Sequence, residues 1–159
     1  MIILNDIKMI VLDVDGTLTD GKIYYDSMGN EMKAFNVKDG MAITQAINNN
    51  IHFAVITGRK SDIVEKRCKE LGIKHIYQGV HDKLGVLNSL LLRFDIHHNN
   101  VMYIGDDIND LEIIENVKYG ACPSDAAQEV ISKCKFISKF YWRKWSSKRN
   151  IRICFKRAR

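Results

Sequence analysis

Ile7-Lys8-Met9-Ile10-Val11-Leu12-Asp13-Val14-Asp15-Gly16-Thr17 is the stretch whose reading decides the fold. An apolar run ends in two carboxylates placed two residues apart, where a buried strand emerges into an Asp-Gly turn. Along an extended chain residues i and i+2 point to the same side. Asp13 and Asp15 can therefore face one pocket while Val14 packs. Two like charges so close are unfavourable unless a cation neutralises them or one carries a proton. A strand-end Asx turn has the same local pattern, and the rest of the chain decides between the two readings.

Outward from this stretch, short β-branched or apolar runs alternate with helical ones. Strands are expected at Ile7–Asp13, His52–Thr57, His75–Gln78, Val101–Gly105 and near Tyr119–Cys122. Helices are expected near Gly40–Asn49, Asp62–Leu71, Lys83–Phe94, Asp107–Asn116 and Asp125–Lys133, with Ser61 and Ser124 as candidate N-caps. Near-continuous apolar strands alternating with helices of this length imply an α/β fold with a doubly wound, mostly parallel sheet covered on both faces. One segment interrupts the alternation: Lys22–Asp26 and Glu31–Phe35 flank Ser27-Met28-Gly29-Asn30 and read as a β-hairpin leaving directly from the Asp-Gly turn. So rooted, it is placed to act as a flap or a subunit contact; a decorative surface hairpin is the plainer alternative.

In such a sheet ligands bind beyond the carboxyl ends of the strands, and those ends carry polar residues here. The first strand delivers Asp13 and Asp15, the second Thr57-Gly58-Arg59. The third leads to Lys83 at the start of a helix, and the fourth ends in Gly105-Asp106-Asp107-Ile108-Asn109-Asp110. Their chemistry is coherent for phosphoryl transfer. Asp13, nearest its strand, is the candidate nucleophile that carries an aspartyl-phosphate. Asp15 is the candidate acid and base. Thr57 and Lys83 are the candidate donors to phosphate oxygens. Clustered carboxylates without His or Cys suit a hard cation, Mg²⁺, held by the Asp13 and Asp106 side chains and the Asp15 carbonyl. Each residue alone has an ordinary structural explanation, as a strand-end hydroxyl, a solvated lysine or helix N-terminal acids; their conjunction on four strand ends does not.

The chain has 159 residues, 46% of them hydrophobic, enough for one domain with a real core. Its net charge of +5 is unevenly placed: nine of the 24 Lys and Arg residues lie in 139–159 with no acid, leaving 15 basic against 19 acidic residues before them. The body is mildly acidic, which argues against a nucleic-acid-binding face. No run reaches the length of a membrane span and none reads as a signal peptide, so neither a membrane nor export is expected. Cys68, Cys122, Cys134 and Cys154 are scattered and read as reduced thiols of a cytoplasmic protein.

Asp13-Val14-Asp15-Gly16-Thr17, Ile56-Thr57-Gly58-Arg59, Lys83 and Gly105-Asp106-Asp107-Ile108-Asn109-Asp110, in this order, resemble the four motifs of the haloacid dehalogenase-like phosphatases. Phe35-Asn36-Val37-Lys38-Asp39-Gly40, Val64-Glu65-Lys66-Arg67-Cys68 and Tyr77-Gln78-Gly79 further resemble the 3-deoxy-D-manno-octulosonate 8-phosphate phosphatase family. The resemblance covers roughly residues 5–138. It implies a capless Rossmann-like domain over residues 1–138 and a Mg²⁺-dependent hydrolysis of the eight-carbon sugar acid phosphate, on the way to surface lipopolysaccharide. It also implies a homotetramer built through the hairpin. By position it makes Asp13 the nucleophile and metal ligand, Asp15 the acid and base, Asp106 a metal ligand, and Thr57 and Lys83 the phosphate-binding pair. Substrate contacts would come from Asp15, Asn36, Val37, Lys38, Asp39, Gly40, Arg59, Arg67 and Lys83, the two arginines suiting a carboxylate. Arg59 favours the eight-carbon acid over the nine-carbon phosphatases, which carry an acid there, and Thr44 stands where the family often has arginine. A nine-carbon sugar acid phosphatase and a low-activity regulatory subunit are the alternatives.

Residues 139–159 depart from the family pattern, whose terminus is a glycine-rich segment followed by a helix. Back-translation of the segment from Phe140 with one choice of AT-rich codons, TTT TAT TGG AGG AAA TGG AGC AGT AAG AGA, is compatible with a second frame, which read one nucleotide later gives Phe-Ile-Gly-Gly-Asn-Gly-Ala-Val-Arg. The basic segment is accordingly read as the product of a reading-frame shift, against a basic-aromatic nucleic-acid or membrane-binding tail and against a disordered end. Gene sequencing decides: codons for Tyr141–Lys148 that cannot give the alternate frame exclude the shift.

Overall fold

The structure, a computed structural model, describes residues 6–138. The readings of the 139–159 segment and of Cys154 lie outside the described residues. The described chain runs β1 (Met9–Leu12), β2 (Tyr24–Tyr25), β3 (Glu31–Met32), α1 (Val37–Asn48), β4 (His52–Thr57), α2 (Asp62–Glu70), β5 (His75–Gln78), α3 (Lys83–Phe94), β6 (Val101–Ile104), α4 (Leu111–Asn116), β7 (Tyr119–Cys122), α5 (Gln128–Lys133) and β8 (Phe136–Ile137). Six strands form one sheet in the order β5-β4-β1-β6-β7-β8, every pairing parallel. The expected α/β, doubly wound parallel sheet is what the chain forms.

The apolar β1 sits inside this sheet because both of its faces are covered. Ile10 and Leu12 pack with Ala42, Ile43 and Ala46 of α1 and Val64 and Cys68 of α2. Met9 and Val11 pack on the opposite side with Leu87, Leu90 and Leu91 of α3, Ile113 and Ile114 of α4 and Val130 of α5. A strand with alternate residues in two cores must read as a continuous hydrophobic run. The chain leaves β1 toward β4 and β5, then returns to add β6 on the other side. Strand order thus reverses at β1, and its carboxyl end opens into the crevice where ligands of such sheets bind.

Several boundaries moved for local reasons. α1 starts at Val37 rather than Gly40, because the Asn36 side chain caps it by accepting from the Lys38 N–H at 2.9 Å. The stretch expected as one helix from Asp107 is a 3₁₀ turn over Ile108–Asp110 followed by α4. α5 begins at Gln128 with Ala127 before it, so Ser124 is not its cap. Ser61 does precede α2 but makes no cap bond with its side chain; its hydroxyl is engaged elsewhere. β8, a two-residue edge strand, was not anticipated, being too short to show alternation.

The hairpin exists as a separate two-stranded antiparallel sheet, pairing Tyr24 with Met32 and Tyr25 with Glu31. Its turn is closed by Asp26, whose carboxylate accepts from the Met28 and Asn30 N–H groups, each at 2.8 Å. From β3 onward, Glu31, Lys33 and Phe35 turn toward the domain while Met32 and Ala34 are exposed, the period-2 pattern of an extended chain with one covered face.

Candidate active site

Parallel pairing sets the depth at which each strand delivers its polar residue. Leu12 stands opposite Val55 of β4 and Ile104 of β6, so Thr57 and Asp106 both lie about level with Val14 at the carboxyl edge. Asp13 extends β1 by one more bond, its N–H donating to the Ile104 carbonyl at 2.9 Å. Lys83 arrives from the opposite direction as the first residue of α3. That helix is capped by Asp82, which accepts from the Gly85 N–H at 2.7 Å.

The Lys83 ammonium is buried and donates to Asp13 Oδ1 at 2.9 Å and Asp110 Oδ1 at 2.6 Å. Asp110 is wholly buried, and its remaining capacity is used by the Tyr103 hydroxyl at 2.5 Å and the N–H groups of Asp106 and Asp107 at 3.0 and 3.2 Å. With both oxygens so engaged, Asp110 is a support that orients Lys83 and the turn bearing Asp106. Asp106 receives the Thr17 hydroxyl on Oδ1 at 3.2 Å. Gly16 lies over its other oxygen: φ is +88°, and a Cβ there would sit 1.8 Å from Asp106 Oδ2. Only glycine permits both that backbone angle and that approach.

One carboxylate oxygen from each of Asp13, Asp106 and Asp110 lies within 4.8 Å of the others. Burial first, then Asp110, raise the Asp13 carboxyl from 3.8 to about 6 despite the Lys83 contact. Burial, then Asp13 and Asp110, raise Asp106 to about 8. Burial alone would pull Lys83 down, but the two carboxylates outweigh it and hold it above its ordinary value. The three carboxylates therefore oppose one another with a single ammonium between them. That surplus of negative charge, made only of oxygen donors, is what a hard divalent cation relieves. Asp13 and Asp106 have oxygens not engaged by the contacts above, so the predicted metal side chains fit; Asp110 joins the cluster as their support.

Asp15 points to a second set of partners. One oxygen accepts from Lys33 Nζ, and the other lies 3.7 Å from Arg59 Nε. Arg59 donates to Glu31 at 2.9 Å, and the Ser61 hydroxyl donates to the other Glu31 oxygen at 2.7 Å. Burial would raise Glu31, but Ser61, Lys33 and Arg59 outweigh it and hold it below its ordinary value.

The predicted residues thus fall in two places. Asp13, Lys83 and Asp106 meet in the carboxylate site, Asp15 and Arg59 lie together beside it with the Asp15 charge reaching Asp13, and Thr57 is buried at the same sheet edge. Asn36 to Gly40 form the cap and first turn of α1. Arg67 lies against that turn: a Cβ on Gly40 would come within 2.5 Å of its Nη2, and its buried Nε has no partner among the described residues. Val37, Gly40 and Arg67 line a cleft of about 590 Å³ between α1 and α2 that includes none of the carboxylate-site residues. Sequence reasoning did not find Lys33 or Glu31, although their alternation with exposed Met32 and Ala34 was a usable signal.

A buried carboxylate at the switch point of a parallel sheet, held by a lysine from the helix after the third core strand, defines a class. The family model of the haloacid dehalogenase-like hydrolases matches the chain over residues 10–81 and 74–141. More narrowly, the chain is 44% identical over 133 residues to the 3-deoxy-D-manno-octulosonate 8-phosphate phosphatase KdsC of Salmonella typhi, covering 84% of this chain and 71% of that one. It is 42% identical over 134 residues to KdsC of Escherichia coli K12, with the same coverage. Its fold matches that of 3-deoxy-D-manno-octulosonate 8-phosphate phosphatase from Moraxella catarrhalis in complex with magnesium ion, phosphate ion and KDO, with TM-score 0.93 and 35% identity over 97% of this chain and 88% of that chain. The cobalt-bound phosphatase of Haemophilus influenzae matches with TM-score 0.90 and 30% identity, over 97% and 90% of the two chains. The chain belongs to the 3-deoxy-D-manno-octulosonate 8-phosphate phosphatase family of haloacid dehalogenase-like hydrolases.

Proposed function

We propose that the chain is a Mg²⁺-dependent phosphomonoesterase that hydrolyses 3-deoxy-D-manno-octulosonate 8-phosphate to the free sugar acid and phosphate. The observation that carries this reading is Asp13, buried at the switch point, with Lys83 on one oxygen and Asp106 in the same carboxylate cluster. Asp13, Asp106 and the Asp15 carbonyl would hold Mg²⁺, which would neutralise charge on the nucleophile and the transferring phosphoryl group.

Asp13 attacks phosphorus through a carboxylate oxygen, forming an aspartyl-phosphate as the bond to the sugar oxygen breaks. Asp15 gives its proton to the departing alkoxide, then takes one from the water that attacks the aspartyl-phosphate. Phosphate leaves and Asp13 returns as the carboxylate. Lys83 and the Thr57 hydroxyl face the charge that develops on the phosphoryl oxygens. Arg59 pairs with the sugar acid carboxylate, as guanidinium does, and in this reading Asn36, Val37, Lys38, Asp39, Gly40 and Arg67 complete the substrate site, with Val37, Gly40 and Arg67 reaching it from the second cleft.

We further infer a homotetramer in the cytoplasm. Exposed Tyr25, Met28 and Met32 on the hairpin support the assembly, since such apolar surface seeks a partner. Among the described residues no helix is long and apolar enough to cross a membrane, and Cys68, Cys122 and Cys134 are free thiols. The deciding assay is phosphate release with Mg²⁺ across a panel of eight- and nine-carbon sugar acid phosphates. Preference for the eight-carbon acid, lost in Asp13→Asn, is the expected result; activity surviving that substitution overturns the mechanism.

A further inference from the structure

Lys33 has no task in the chemistry above, yet its environment is costly. Its side chain is 1% exposed, comparable to the 2% of Lys83. Removing an ammonium from water costs several kcal/mol unless carboxylates compensate. Here the compensation comes from Asp15, on which Nζ donates directly, and from Glu31 Oε1 at 3.5 Å. Glu31 is itself held by Arg59 and Ser61, both from the loop after β4. A lysine is not required merely to fasten the hairpin to the domain. Phe35, two residues on and on the same face, already packs against the core beside α1, and an apolar residue at position 33 would avoid the desolvation cost. What the ammonium adds is a fixed place for one oxygen of Asp15.

We propose that Lys33 is a positioning residue for phosphoryl transfer: the hairpin segment, through Lys33 braced on Glu31, fixes the side-chain carboxyl group from which Asp15 gives its proton to the departing alkoxide. The hairpin is then part of the active site within its own chain, whatever it contributes between chains. This rests on the phosphatase reading of Asp15.

The test uses the full chain with Mg²⁺ and two substrates without a carboxylate, a neutral sugar monophosphate and p-nitrophenyl phosphate. A lost contact to a sugar acid therefore moves neither. For both, kcat/KM reports the steps up to departure of the leaving group; nitrophenolate leaves unprotonated and a sugar alkoxide does not. Lys33→Met is expected to lower kcat/KM on the sugar phosphate by about 10- to 100-fold, part of what general-acid catalysis supplies, and at least ten-fold more than on the aryl phosphate. A fall of equal size on both substrates, or none on the sugar phosphate, overturns the proposal. Should Lys33→Met fail to fold by thermal melting, Lys33→Gln, which is shorter and lacks the ammonium, is read by the same ratio. Wild-type phosphate release that does not depend on Asp13 overturns the phosphatase reading itself, and Lys33 falls with it.

Discussion

Asp13 and Asp106 are held in a state that only a cation makes comfortable. Both carboxyls stand above their ordinary value, at about 6 and about 8, chiefly through burial and then through the neighbouring carboxylates. At pH 7 the metal-free Asp106 is therefore mostly protonated, and a metal that needs the carboxylate must displace that proton. Titration calorimetry in two buffers of different ionisation enthalpy should show about one proton released per Mg²⁺ at pH 7, with affinity rising up to about pH 8 and levelling above it. Release of none contradicts the electrostatic account of the cluster. Asp13→Asn should lower kcat by on the order of 10⁴-fold or more, the scale on which losing a nucleophile acts, while the fold persists in circular dichroism. Gly16→Ala forces a Cβ into Asp106 at a positive φ, and a chelator titration should show weakened Mg²⁺ binding alongside a lower melting temperature.

At the scale of elements, α3 is the device that aims Lys83. Its first turn is fixed by Asp82, which accepts from the Gly85 N–H, and Lys83 follows immediately, so the cap sets where the ammonium starts. Asp82→Ala should cost about 1 kcal/mol of stability, the usual value of a lost N-cap. That corresponds to a fall of about 2–4 °C in melting temperature for a chain of this size. Because the loss also loosens Lys83, kcat should fall further than KM rises; a change in melting temperature with unaltered kcat would show that the cap has no bearing on the site. The hairpin and the loop after β4 form a second device, in which Glu31 and Lys33 from one segment meet Arg59 and Ser61 from the other around Asp15.

For the whole molecule, the same carboxylates couple stability to pH and to metal. A carboxyl whose folded value lies above its unfolded value of about 3.9 stabilises the fold below that value. The contribution is lost as pH rises through the folded values, here about 6 and about 8. Metal-free protein should therefore lose this contribution between about pH 4 and pH 8, and Mg²⁺ should raise the melting temperature more at pH 8 than at pH 5.5. Saturation at 100 times Kd supplies about 2.7 kcal/mol, or about 5–10 °C in a scanning melt; an equal shift at both pH values would refute the linkage. The assembly reading is tested in the same terms: Met28→Asp with Met32→Glu on the exposed hairpin face should convert a tetramer to smaller species in sedimentation equilibrium.

By itself the sequence determined the parallel α/β sheet and the chemical kinds gathered at its edge. Both are local properties. A strand buried on two faces must be apolar throughout, as Ile10, Leu12, Met9 and Val11 are, and its end must carry whatever polar group the crevice uses, as Asp13 and Asp106 do. Helix starts were less legible, because one side-chain contact moves them, as Asn36 does for α1. Only the tertiary structure decided that Lys83, Tyr103 and two turn N–H groups converge on Asp110, that Val37, Gly40 and Arg67 line their own cleft, and that Lys33 reaches Asp15. Those assignments depend on pairing and packing between segments 18 to 70 residues apart. Residue type limits what such groups can do, but the register of strands and the fold of a hairpin choose which of them meet.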